Sequence, residues 1–140
     1  MRRATLDQQL TPTAKIRLAA EILFSYARIR WLLRSSDLPV TVERVRGDSK
    51  DLYRDGADDE AAALRLARAV ARTMKPVPTD SRCLMRSLVL TALLSARGIP
   101  STLVIGTRTL PDFAAHAWVE VGGHPVLPDG SGEYGRLLEI

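Results

Sequence analysis

One cysteine and two histidines among 140 residues close several chemistries to this chain at once. A single thiol, Cys83, forms no internal disulfide and cannot build a zinc site of several cysteines. That usage fits a reducing compartment. A signal peptide is missing too: behind Met1, Arg2 and Arg3, the polar residues Asp7, Gln8 and Gln9 stand where an apolar run is needed. No stretch stays uncharged long enough to cross a bilayer, because the most apolar one, from Ile16 to Leu33, is broken by Arg17, Glu21, Arg28 and Arg30. Repeats, low-complexity runs and a glycine-rich phosphate loop are absent as well. These absences predict a cytoplasmic protein with no nucleotide, metal or other cofactor.

What is present reads as a folded domain. Hydrophobic residues make up 46% and charged residues 26%, a balance that argues against disorder. The length suits one domain, 1–140, able to bury a core without staples. The net charge of +4 sits mostly in the N-terminal third. It can attract an acidic peptide, a nucleic acid or a membrane, but a basic face kept for solubility explains it as well. No nucleic-acid motif accompanies it.

Residues 1–75 read as mainly helical. Thr13 is placed to cap a helix running to about Ser35, with Ile16, Ala19, Ala20, Leu23, Ala27, Leu32 and Leu33 as the apolar stripe expected to pack on the core. Leu38-Pro39 stops it, and the charged, turn-rich residues 40–56 read as a connector. Asp58, Asp59 and Glu60 open a second helix to about Met74, with Leu64, Ala67, Ala71 and Met74 at helical spacing.

The stretch 79–140 carries the chemistry. Pro76 and Pro78 end what precedes, Thr79, Asp80 and Ser81 are capping residues, and Gly98 and Pro100 close the helix that Cys83 heads. A thiol in the first turn feels the positive end of the helix dipole, with Arg82 and Arg86 beside it, an arrangement that favours the nucleophilic thiolate. Beyond Arg86 only the small residues Ser87, Thr91 and Ser95, four apart, interrupt the apolar run from Leu84 to Leu94 and its last turn, so this helix should be central with its tip exposed. The period then changes to two. Ser101–Thr107 reads as a strand, and Phe113–Val121 as a second whose one face carries Ala114, His116, Trp118 and Glu120. Gly122-Gly123 marks a hairpin, His124–Leu127 its returning strand, and Pro128-Asp129-Gly130 a turn. The remaining tail says little.

Cysteine hydrolases and acyl transferases need a thiolate, an imidazole and a group that orients the imidazole. His116 is aimed by its strand, whereas His124 sits in a turn. Glu120 shares the face of His116 but lies about 13 Å along the strand, too far for a hydrogen bond. Asp129 is the better orienter, because folding back at Gly122-Gly123 sets residues near 127–130 beside 115–118. Each residue has a plainer role available: a buried small hydrophobe, a structural histidine, a turn aspartate. The order of cysteine at a helix start, histidine in a strand and aspartate after the next strand is what carries specificity.

Cys83 heading an apolar helix, Gly98-Ile99-Pro100, the strand Leu103-Val104-Ile105-Gly106 and Ala115-His116-Ala117-Trp118-Val119-Glu120 resemble the transglutaminase-like cysteine-protease fold. More narrowly, they resemble the B2 proteins of lasso-peptide biosynthesis. The resemblance covers residues 79–130 and implies an α+β, papain-like core, with the nucleophile at the start of a central helix on a small antiparallel sheet. It implies that Cys83, His116 and Asp129 form a triad that removes the leader from a ribosomal precursor peptide. The match at Asp129 rests only on its position after a short hairpin. The resemblance also implies a separate B1 leader-recognition protein, since the long N-terminal helix leaves no room for a fused recognition module, and delivery of the core peptide to a lasso cyclase. An acyl transferase using the same triad, and a non-catalytic peptide-binding module, are the alternatives.

Overall fold

The computed structural model describes residues 11–46, 56–77, 82–127 and 134–140. Four helices precede a four-stranded antiparallel sheet: α1 (Pro12–Ser35), α2 (Leu38–Arg46), α3 (Gly56–Met74), α4 (Arg82–Ala96), then β1 (Thr102–Arg108), β2 (Ala114–Val121), β3 (His124–Pro125) and β4 (Gly135–Glu139), in the order β3-β2-β1-β4. This is the expected α+β arrangement of helices against a small antiparallel sheet.

The centre is α4. It packs against α1, α2, α3, β1 and β2. Leu88, Val89, Leu90 and Leu94 are fully buried, and Leu93 nearly so. The hydroxyls along it do not disturb that burial, because two are turned back onto the helix itself. Ser87 Oγ donates to the Cys83 carbonyl and Thr91 Oγ1 to the Ser87 carbonyl, both at 2.8 Å. Ser95 Oγ instead donates to the carbonyl of Arg46 at 2.5 Å, fastening α2 to α4. The helix ends as its sequence predicts. Gly98 takes a left-handed φ of 71°, Gly98 N donates to Ser95 O at 3.0 Å, and Ile99 N donates to Leu94 O at 2.9 Å. That pair of bonds satisfies carbonyls a helix end otherwise leaves open. The capping residues predicted at 79–81 lie outside the described residues.

Three expectations for the helical half need correction. The cap of α1 is Thr11, whose Oγ1 accepts from Ala14 N at 3.3 Å, with Pro12 opening the first turn. Its core face is also different: Ile22, Ile29 and Leu32 are buried, with Leu18, Tyr26 and Leu33 beside them, while Ile16, Ala20, Leu23 and Ala27 are exposed. The helix has apolar residues on two faces, and helical period alone cannot choose between them. The supposed connector begins as a helix. α1 ends at Ser35, with Ser36 extended, and Pro39 instead occupies the first turn of α2, where a missing N–H costs nothing. Thr41 N and Oγ1 both reach the Asp37 carbonyl, at 2.9 and 3.0 Å, and Thr41, Val42 and Val45 are buried. On α3, Ala63, Leu66 and Val70 join Ala67 and Met74 in the core, whereas Leu64 is partly exposed.

In the sheet, Leu103 faces Val119, Val104 faces Trp118 and Gly106 faces His116 across β1 and β2. The Gly122-Gly123 turn has φ of 60° and 79°, the left-handed pair of a tight hairpin. β3 is shorter than expected, pairing only His124 with Val121 and Pro125 with Glu120, although Val126 N still donates to Val119 O at 2.9 Å. The tail supplies β4, which the sequence does not announce. It joins β1 on the far side, and Leu103 and Ile140 exchange backbone hydrogen bonds of 2.7 and 2.8 Å. Arg46 ties this corner to α2 by donating to the carbonyls of Ser101 and Ile140 at 2.9 and 2.6 Å, and its burial pushes the guanidinium pKa down.

Candidate active site

Cys83 is the second residue of α4, a free, half-buried thiol in the first turn. The positive end of the helix lies there, and backbone N–H groups of a first turn have no partner inside the helix. Arg86 follows one turn later, and its buried Nε has no acceptor among the described residues. The helix packs directly on β2, the strand that carries His116. A thiol at a helix start and an imidazole on the strand beneath that helix are the elements acyl-transfer chemistry needs.

His116 is half-buried inside an aromatic cluster. Its ring stacks on Trp118, two residues along the same face, with centroids 5.9 Å apart and planes at 26°. Tyr134 also approaches it, to 5.2 Å at a tilt of 34°, and the Arg108 guanidinium lies 5.4 Å from the Tyr134 ring centre. Gly106 explains how rings from β2 and from the residue before β4 meet across β1. A Cβ at Gly106 falls 2.8 Å from both Trp118 Cζ3 and Tyr134 Cβ, closer than real Cβ contacts come. The glycine is therefore the floor over which the aromatic groups close around His116. Trp118 is almost wholly buried, and its indole Nε1 has no acceptor among the described residues.

The other sequence candidates divide. Glu120 is buried and its carboxylate is held by both hydrogen-bonding arms of one Arg136 amino group, so it is committed to β4. Glu120 first, and then Glu139 at 2.6 Å, raise the Arg136 pKa above its ordinary value. His124 is exposed in the hairpin. Asp129 lies outside the described residues. Sequence reasoning quoted Gly106 only as part of the β1 motif and gave no role to it, to Arg108 or to Tyr134. The glycine could have been noticed as the one residue without a side chain inside β1, whereas nothing in the tail marks Tyr134 as a neighbour of His116.

Comparison with known proteins reaches the same elements. The family described as the transglutaminase-like superfamily matches residues 23–139, which takes in both α4 and β2. A stretch of 46 residues, 33% of the chain, is 50% identical to the microcin J25-processing protein McjB of Escherichia coli. That stretch spans only 22% of McjB. No solved structure matches. Among the described residues no helix is long and apolar enough to cross a membrane.

Proposed function

This chain belongs to the transglutaminase-like superfamily, and on that footing we propose that it is a cysteine peptidase that removes the leader from a lasso precursor peptide. The observation that carries this reading is the packing of α4, with Cys83 in its first turn, on the strand that presents His116.

The Cys83 thiolate attacks the carbonyl at the leader–core junction, and the negative charge on the carbonyl oxygen is met by the backbone N–H of Cys83 at the helix start. The intermediate collapses as His116 gives its proton to the departing amine, which frees the core peptide and leaves the leader as a thioester on Cys83. Water, deprotonated by His116, then attacks the thioester. The leader leaves as a carboxylic acid, and Cys83 is restored. Trp118 and Tyr134 hold the imidazole in one orientation. Asp129 is assigned the role of fixing its tautomer, and the pairing of Pro125 with Glu120 is the register that this role requires.

The chain works with a separate B1 leader-recognition protein and passes the core peptide to the lasso cyclase. The test is mass spectrometry of precursor incubated with the protein, with and without a leader-binding partner. Cleavage at one bond is expected, with at least a thousandfold loss in Cys83→Ala, as for removal of a covalent nucleophile. Undiminished cleavage by Cys83→Ala refutes the proposal. The same triad can instead pass the acyl group to an amine. A product mass that retains the amine in place of water would assign it.

A further inference from the structure

The exposed face of α1 carries two apolar rows of the same design. Ile16, Ala20 and Phe24 form one, and Leu23, Ala27 and Trp31 the other, each with residues four apart and so aligned along the helix. They stand in solvent: Ile16 is 72% exposed, Phe24 71%, Trp31 67% and Leu23 45%. Phe24 lies about 200° around the helix from the buried Ile22, so this is the face turned away from the core. The helices α2, α3 and α4 cover the opposite face, and no described element covers this one. Scattered exposed apolar residues are ordinary, but a contiguous patch marks an interaction surface.

Charge narrows the occupant. Lys15, Arg17, Arg28, Arg30 and Arg34 are all exposed, and none forms an ion pair among the described residues. The only acid on α1, Glu21, is already held by Arg97 through two bonds of 3.0 Å. A second copy of the chain, laid along this face, brings basic flanks against basic flanks. An acidic partner does not. Shape narrows it further. In each row a large side chain, an alanine and an aromatic succeed one another, so Ala20 and Ala27 are notches between ridges. A partner helix packs by setting its own ridges into such notches. A lipid surface asks only for apolar area beside basic charge.

We propose that this face docks an α-helix of a separate protein, one whose apolar ridge is flanked by aspartate and glutamate. The inference goes beyond the peptidase reading and does not rest on it, since neither Cys83 nor His116 takes part.

The full chain contains its own reporter. Of its two tryptophans, Trp118 is buried at 3% exposure, so a blue shift of emission on binding reports Trp31. The probe is a synthetic 21-residue helical peptide with leucine at alternating three- and four-residue spacing and glutamate elsewhere, with a lysine counterpart as control. The acidic peptide is expected to shift the emission and the lysine peptide is not. Binding should weaken steeply with salt. Filling the notches with Ala20→Phe and Ala27→Phe is expected to weaken peptide binding at least tenfold while leaving thermal unfolding unchanged. A parallel titration uses vesicles of phosphatidylcholine containing phosphatidylserine. A shift with these vesicles that survives the notch-filling changes, without one for the acidic peptide, overturns the proposal in favour of a membrane. A dimer in sedimentation of the chain alone, abolished by Phe24→Ser, overturns it in favour of self-association. No shift with either probe overturns it outright.

Discussion

Helices α4 and α1 are both rich in apolar residues, yet the fold uses them oppositely. α4 is surrounded by three helices and two strands, and only its two ends, Arg82 and Ala96, are exposed, with Cys83 half-buried beside the first. α1 is covered along Ile22, Ile29 and Leu32 and open along Ile16, Phe24 and Trp31. The difference teaches where each kind of specificity resides. A covered helix holds its first turn in one place, as a nucleophile requires. A half-covered helix has spare surface, as recognition requires.

That contrast can be broken by substitution. Leu88 on α4 is fully buried, so Leu88→Ala removes transfer free energy and leaves a cavity, with an expected loss of about 2–5 kcal/mol in urea unfolding. A loss below about 1 kcal/mol would mean that α4 is not the centre of the core. Gly106→Ala comes next. Its new methyl meets Trp118 and Tyr134 in a crowded site, and overpacking of this kind costs about 1–3 kcal/mol. The near-ultraviolet circular dichroism of the displaced rings should change with it, and turnover in the proposed peptidase reaction should fall because the rings beside His116 move. An unaltered aromatic spectrum would show that Gly106 is no floor.

Glu21→Gln tests the bridge between the two helices. The pair with Arg97 is about one-third exposed on each side, so the expected loss is only about 0–1 kcal/mol, and added salt should shrink it. Phe24→Ser sharpens the comparison from the other side. With 71% of its surface in solvent, the residue contributes little to folding, and stability should stay within about 0.5 kcal/mol of the parent in the same urea titration. A larger loss would mean that Phe24 belongs to the core after all.

Local rules carried the parts of the chain where one interpretation has no rival. α4 is apolar nearly all round and closed by Gly98, so a central helix is what accommodates it. The alternation around His116 requires a strand, and Gly122-Gly123 requires a tight turn, since two left-handed residues in succession suit glycine. The location of the thiol and the imidazole was legible for these reasons. Pro39 was misread because proline suits the first turn of a helix as well as the end of one, and the sequence around it supports either role. β4 was missed because its five residues are all exposed and have no burial pattern of their own.

The amino-acid sequence by itself determined the elements whose cause lies within a few residues: the Gly98 stop of α4, the Gly122-Gly123 hairpin, the period of α1, α3, α4, β1 and β2, and the unique thiol in a helix's first turn. Only the tertiary structure decided which face of α1 is buried, since Ile22 and Phe24 are equally apolar and the choice belongs to α3 and α4. It also decided what surrounds His116. Tyr134 is 18 positions away along the chain, and it reaches the imidazole because β4 pairs with β1 and because Gly106 leaves room between them. Contacts of that kind depend on long-range strand pairing, which residue type and period do not encode.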